Sequence, residues 1–218
     1  MNEKFTCFLF DLDGTLTYSH KGIFGCIRYA LTKMQREIPG EDVLRKAVGP
    51  SLMWSFQNLC GMSEEDATEA TRLYRVRYKD IGWRENEAIA GAKEALKAFQ
   101  ERGYVLAMAT SKPLVFAKQI SELFGFSPYF TVEVGSGIGG EFPTKASVIE
   151  EVIRQLKAEK KDCLMIGDRL HDIEGARQAG VDVAALDVGY AEEGEFEAYP
   201  PDYYFASFAA LCDALLGE

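Results

Sequence analysis

The sequence predicts an α/β protein, a doubly wound parallel sheet with an inserted α-helical cap domain. Two observations carry this. Short apolar runs that end on acidic or small polar residues alternate with stretches of helical periodicity, which is how βαβ units read in a sequence. Between about residues 17 and 85 the alternation lapses into consecutive helical patterns with no convincing strand between them.

The first run, Phe5-Thr6-Cys7-Phe8-Leu9-Phe10, is nearly continuous in apolar residues, as expected of a strand covered on both faces. It stops at Asp11-Leu12-Asp13-Gly14-Thr15. Runs at Tyr104–Ala109, Thr131–Val134, Cys163–Ile166 and Val183–Leu186 stop at Thr110-Ser111, Gly135, Gly167-Asp168 and Asp187. Tyr203–Phe205 is weaker and fits an edge strand. Helices are expected at Ala92–Gln100, Leu114–Phe124, Ala146–Leu156 and Ile173–Ala179, with Gly103 and Gly180 placed to end two of them. In the insert they are expected over about Ile23–Gln35, Glu41–Val48, Leu52–Leu59 and Glu64–Ile81. The expected division is a catalytic core of residues 1–16 and 86–218 and a cap of residues 17–85. An insert that follows the first strand's loop directly would sit over that loop. The acidic stretch Glu192–Glu197 reads as a solvated loop.

The composition narrows the function classes. With 218 residues, 47% hydrophobic and 27% charged, the chain has the make-up of an ordinary globular protein. A globule of this size buries about 70% of its unfolded surface and needs no disulfide or structural metal to fold. No apolar run approaches the ~20 residues that cross a bilayer, and Met1–Lys4 leads into a strand pattern rather than a signal peptide. The expectation is a cytoplasmic protein, monomeric or weakly dimeric, with no membrane partner. The net charge of −10, with no basic stretch to offset it, argues against a nucleic-acid polymer. A small anionic molecule stays compatible, because local lysines and a bound cation can reverse the field inside one cleft. Five cysteines without a C-x-x-C pair and only two histidines, His20 and His171, speak against disulfides, zinc and an imidazole cage.

Ligands of open α/β sheets bind beyond the carboxyl ends of the strands. The polar residues collected there are Asp11, Asp13, Thr15, Thr110, Ser111, Asp168 and Asp172, joined by Lys145 from a loop that opens a helix. Any one of them alone is better explained as a turn former or helix cap. Together, carboxylates at several strand ends repel unless a cation or proton intervenes, and an all-oxygen donor set favours a hard ion such as Mg²⁺.

With those residues in place, the chain resembles the haloacid dehalogenase superfamily of phosphatases, and the resemblance spans nearly all of it. Asp11-Leu12-Asp13-Gly14-Thr15 is similar to the family's first motif, Thr110 in Ala109-Thr110-Ser111-Lys112 to the second, Lys145 to the third, and Gly167-Asp168-Arg169-Leu170-His171-Asp172 to the fourth. The helical insert is similar to the family's small cap. The phosphoglycolate-phosphatase-like and 5′-nucleotidase-like branches look nearest. The resemblance implies a phosphatase acting on a small phosphorylated metabolite, with Asp11 as nucleophile and Asp13 as acid and base. It implies Mg²⁺ held by Asp11, the Asp13 carbonyl, Asp168 and, directly or through water, Asp172. Thr110, Lys145 and more weakly Ser111 would hold the phosphate, with Ser111 equally readable as a helix cap. His171 would pack or hydrogen-bond behind the site.

Other readings fit parts of the pattern. Residues 135–140 match G-x-G-x-x-G, but Pro143 follows at once and no helix opens from the glycines, so a dinucleotide loop is disfavoured. A phospho-receiver would also place an aspartate, a hydroxyl and a lysine at strand ends, but it has neither the second acid nor the long insert. A phosphomutase shares all four motifs and stays open. In the insert, Gly49-Pro50-Ser51-Leu52 resembles a substrate-approaching turn, or else the proline simply starts a helix. Leu52, Trp54, Phe56 and Leu59 there read as core or pocket lining.

Overall fold

Four consecutive apolar residues form strand β1 (Cys7–Phe10), and all four are buried. The chain then runs through β2 (Thr17–Tyr18), α1 (His20–Lys33), α2 (Glu41–Arg45), α3 (Leu52–Asn58), α4 (Glu64–Asp80), β3 (Glu87–Ala88) and α5 (Ala92–Glu101). It continues through β4 (Val105–Pro113), α6 (Leu114–Phe124), β5 (Val132–Ser136), α7 (Lys145–Leu156), β6 (Cys163–Gly167) and α8 (Leu170–Ala179). The last elements are β7 (Asp182–Leu186), α9 (Glu195–Ala198), β8 (Tyr203–Phe205), α10 (Phe208–Cys212) and a π-helical turn (Asp213–Gly217). This is a computed structural model, and it describes residues 4–137, 141–188 and 190–217. Two units are distinguished: Met1–Thr17 with Ala88–Glu218, and Tyr18–Glu87.

The first unit is built on a six-stranded sheet in the order β5-β4-β1-β6-β7-β8. Its pairings are parallel, and β1 is registered on both sides, Cys7 beside Val105 and Cys163. The period-two alternation of a strand divides β1 between two layers. Leu9 joins one layer with Ala107, Val134 and Met165 under α7 and α8, where Val148, Ile149, Val152, Ile173 and Ala176 face it. Phe8 and Phe10 point the other way, and Phe8 meets Phe99 of α5 edge-on at 4.9 Å and stacks on Tyr104 at 4.6 Å. A strand dressed on both faces has to be apolar at every position, which is why the run reads as continuous rather than alternating. The weak run at 203–205 is β8, at one edge of the sheet.

The order matters for the site. After β1 the chain builds outward through β4 and β5, then returns to lay β6 against the other side of β1. The reversal opens a crevice beyond the carboxyl ends of β1 and β6, where loops diverge to opposite sides of the sheet.

The second unit is helical, and its caps follow from the sequence. Ser63 accepts a hydrogen bond from the Asp66 N–H at 3.1 Å, and Glu64, Glu65 and Asp66 put negative charge at the positive end of α4. Arg77 on α4 holds Glu85 in a two-pronged pair at 2.6 and 2.9 Å. The helix expected over Glu41–Val48 ends at Arg45, because Lys46, Ala47 and Val48 donate to carbonyls three residues back, tightening the turn ahead of Pro50. Ser51, not Pro50, caps α3 and accepts from the Trp54 N–H at 3.3 Å, so the proline stands just outside the helix. Phe56 is core, whereas Trp54 is exposed. The expectation of no strand in this stretch misses one feature: β2 and β3 pair as a two-stranded sheet where the insert begins and ends. Two-residue strands leave too little pattern to read.

Candidate active site

All the carboxylates singled out at strand ends lie in the first unit. Asp11 follows β1 directly, Asp168 follows β6, and Asp172 stands on the first turn of α8. One ligand oxygen from each of Asp11, Asp168 and Asp172 lies within 4.8 Å of the others, and all three residues are buried. Thr15, back along the loop from β1, donates its hydroxyl to Asp168 Oδ1 at 3.0 Å. The other oxygen of Asp168, Oδ2, is buried without a hydrogen-bond partner. A buried carboxylate oxygen in that state is costly unless something cationic meets it.

The electrostatics point the same way. Burial, followed by repulsion from Asp172 and Asp11, holds the Asp168 carboxyl well above the usual carboxylate range. Burial also raises Asp172, against the pull of Lys145. Burial works to lower Lys145, yet the Asp11 and Asp172 carboxylates together keep it above the ordinary lysine value, as a cation.

Lys145 is the hub. Its side chain is 6% exposed, and its three donors have three acceptors: Asp11 Oδ1 at 2.6 Å, Asp172 Oδ1 at 2.8 Å and the Ala109 carbonyl at 2.9 Å. The residue is held at the first position of α7, which Thr144 caps by accepting from the Ser147 N–H at 3.1 Å. Its stem packs against Gly175 of α8, where an added Cβ would lie 2.5 Å from Lys145 Cγ. Asp172 is fixed equally firmly, because its Oδ2 accepts from the backbone N–H groups of Asp168 and Arg169 at 3.1 and 3.2 Å. Both of its oxygens therefore already carry hydrogen bonds.

Thr110 is buried within β4, which runs on to Pro113 rather than stopping at Ala109. Its hydroxyl oxygen accepts from the Lys112 N–H at 3.2 Å. Ser111 is exposed, and its carbonyl accepts from the Ser136 hydroxyl at 2.8 Å. It is not a helix cap: α6 starts after Pro113, with no side-chain cap bond. Asp13 Oδ2 pairs with Lys112 at 2.5 Å, and Asp13 Oδ1 is buried without a partner.

Sequence reasoning missed Lys112 as a side chain of the site, along with Gly175 and the pair Arg169–Glu195. Arg169 Nε reaches both oxygens of Glu195, at 3.0 and 3.1 Å, and both residues are buried. Glu195 also accepts from the Leu170 N–H at 2.6 Å and the Glu192 N–H at 3.2 Å. The reading of Glu192–Glu197 as solvated is thus wrong at Glu195, which turns inward and begins α9. No charge-run argument separates one inward glutamate from its solvated neighbours. Ile138, Gly139 and Gly140, the end of the apparent dinucleotide loop, lie outside the described residues; Gly135 and Ser136 belong to β5.

Comparison with known proteins agrees with this geometry. The family described as haloacid dehalogenase-like hydrolase matches residues 8–186, and the chain belongs to it. A 5′-nucleotidase of Pseudomonas aeruginosa is 38% identical, covering 95% of this chain and 94% of its own. A tyrosine-protein kinase, PtkA of Mycobacterium tuberculosis, is 35% identical over 84% of this chain and 62% of its own. The crystal structure of a predicted phosphatase from Clostridium acetobutylicum superposes with a TM-score of 0.93 at 35% identity, covering 99% of this chain and 100% of that one. Membership of a hydrolase family sets the phospho-receiver alternative aside. No helix among the described residues is long and apolar enough to cross a membrane.

Proposed function

We propose that the chain is a magnesium-dependent phosphatase that hydrolyses a small phosphomonoester through a phosphoryl group carried on Asp11. The observation that carries this reading is the convergence of Asp11, Asp168 and Asp172 around one point, with a buried oxygen of Asp168 left unpartnered. An all-oxygen donor set suits a hard divalent ion. Asp11, Asp168 and the Asp13 carbonyl would hold it. Asp172, both of whose oxygens are engaged, would reach it through water. When bound, Mg²⁺ would offset the negative charge that otherwise keeps a phosphate ester away from a carboxylate.

The remaining steps belong to the chain's own groups. Asp11 attacks phosphorus in line, and its new oxygen–phosphorus bond forms as the bond to the ester oxygen breaks. Asp13 gives a proton to the departing oxygen. It then takes one from water, whose oxygen attacks phosphorus, freeing Asp11 and inorganic phosphate. Lys145, the Thr110 hydroxyl, Ser111 and neighbouring N–H groups hold the oxygens on which charge builds. Lys145 already spans Asp11 and Asp172, so phosphate binding would redirect one of its donors.

These groups handle the phosphoryl end of a substrate and none of the rest. Selection of the leaving group is therefore assigned to other residues, and we read the helical unit as a cap domain. The similarity to a 5′-nucleotidase favours nucleoside 5′-monophosphates as the first substrates to try, with phosphoglycolate the next.

The test is hydrolysis of 4-nitrophenyl phosphate, followed by a panel of phosphomonoesters that includes both classes. Activity should need Mg²⁺ and vanish with EDTA. Asp11→Asn should lower kcat/KM by about 10³-fold or more while leaving the far-ultraviolet spectrum unchanged. Retention of activity in that variant would sink Asp11 as nucleophile. Release of inorganic phosphate, rather than an isomerised sugar phosphate, separates a phosphatase from a mutase.

A further inference from the structure

Lys112 is a buried cation that the scheme above leaves unused. Its side chain is 5% exposed and meets Asp13 Oδ2 at 2.5 Å. An ammonium group is costly to bury unless it is paired, so its placement calls for an account.

The backbone is shaped to put it there. Thr110 pairs with Gly135 in the β4–β5 ladder, but the next pairing is Pro113 with Ser136, so Ser111 and Lys112 are extra residues on the β4 side. Such a bulge re-aims side chains at a sheet's rim. Two hydrogen bonds hold it. The Lys112 N–H donates to Thr110 Oγ1 at 3.2 Å, and the Ser136 hydroxyl donates to the Ser111 carbonyl at 2.8 Å. Gly135 gives the bulged chain room, for a Cβ there would lie 2.5 Å from the Lys112 carbonyl oxygen and 3.0 Å from Leu114 Cα. The glycine that imitates a dinucleotide loop is thus accounted for by this close approach.

The pairing makes the two oxygens of Asp13 unlike. Oδ2 is tethered to Lys112, whereas Oδ1 is buried with no hydrogen-bond partner. We infer that Lys112 is a positioning residue, whose ammonium holds Asp13 Oδ2 so that Oδ1 is the atom presented to the departing ester oxygen. The inference rests on the proposed role of Asp13. The proton passes from Oδ1 to the leaving oxygen as its bond to phosphorus breaks, and the carboxylate left behind stays paired with Lys112. With no cation at position 112, Asp13 is free to turn; transfer to Asp11 slows only for substrates whose leaving group needs the proton, while the later water step, common to every substrate, does not enter kcat/KM.

The experiment measures kcat/KM for Lys112→Met across aryl and alkyl phosphates of increasing leaving-group basicity, with Mg²⁺ present. 4-Nitrophenyl phosphate, whose leaving group departs without a proton, should lose less than about threefold, and a simple alkyl phosphate about 30-fold or more. In an Asp13→Asn background the same substitution should cost little more. An equal loss for every leaving group, or none, overturns the inference. If Lys112→Met does not fold, the series is run on Lys112→Arg, which keeps the charge but not the single compact donor. A smaller steepening is expected there, and parallel loss again overturns the inference. Failure of the unaltered protein to hydrolyse any monoester would instead overturn the phosphatase reading.

Discussion

Individual atoms in this site are arranged by what has been taken away as much as by what is present. Lys145 can thread between Asp11 and Asp172 because position 175 of the neighbouring helix has no side chain. Gly175→Ala would drive a methyl group to within 2.5 Å of the lysine stem. Overpacking of that kind costs about 1–3 kcal/mol, and here the displaced atoms belong to the hub of the site. The variant should stay folded with a lowered thermal midpoint, while kcat/KM for an aryl phosphate falls about tenfold or more, since small misplacements of catalytic groups are amplified. Unchanged activity would show that the Lys145 position is not critical. The acids at 11, 13, 168 and 172 and the lysine at 145 were legible in the sequence because each closes a strand or opens a helix. Gly175 was not. A glycine inside a helix carries no local signal of which side chain, 30 residues away, needs its space.

Elements are pinned to one another by polar contacts at their ends. The turn from β6 into α8 carries Asp168 and Asp172, and Arg169 between them is held by Glu195 of α9. Removing one partner of a buried pair strands the other, at a cost of about 3–5 kcal/mol, whereas an exposed pair is worth about 0–1 kcal/mol. Glu195→Ala should therefore lower stability in urea far more than Glu151→Ala, which breaks the pair with the exposed Arg154 on α7 and one hydrogen bond from Gln155. Similar losses from the two variants would mean that the buried pair does not anchor the turn. The helices and strands themselves were readable. The span of α6 coincides with its apolar periodicity, and β6 and β7 follow runs that end where the sheet ends. What stayed hidden was non-local: the inward turn of Glu195, and the bulge that carries β4 past Thr110. Alternation of residue type shows that a strand exists, but not where its partner will slip register.

For the whole molecule, strand order makes a chemical site out of scattered carboxylates. Asp11 and Asp168 are 157 positions apart in sequence and become neighbours only because β6 lies beside β1. Nothing in either segment alone encodes that pairing. It follows from the route of the chain, out through β4 and β5 and back across β1, and from the need to bury both faces of the central strand. The sequence showed which residue types close the strands, and the topology decides which of them meet. Phosphatase chemistry at this rim requires that these carboxylates form one divalent-cation site. Calorimetric titration of Mg²⁺ into the unaltered protein and into Asp168→Asn tests that most directly. One saturable site is expected in the unaltered protein, weakened at least about tenfold in the folded variant. Equal affinity in the two proteins would contradict it.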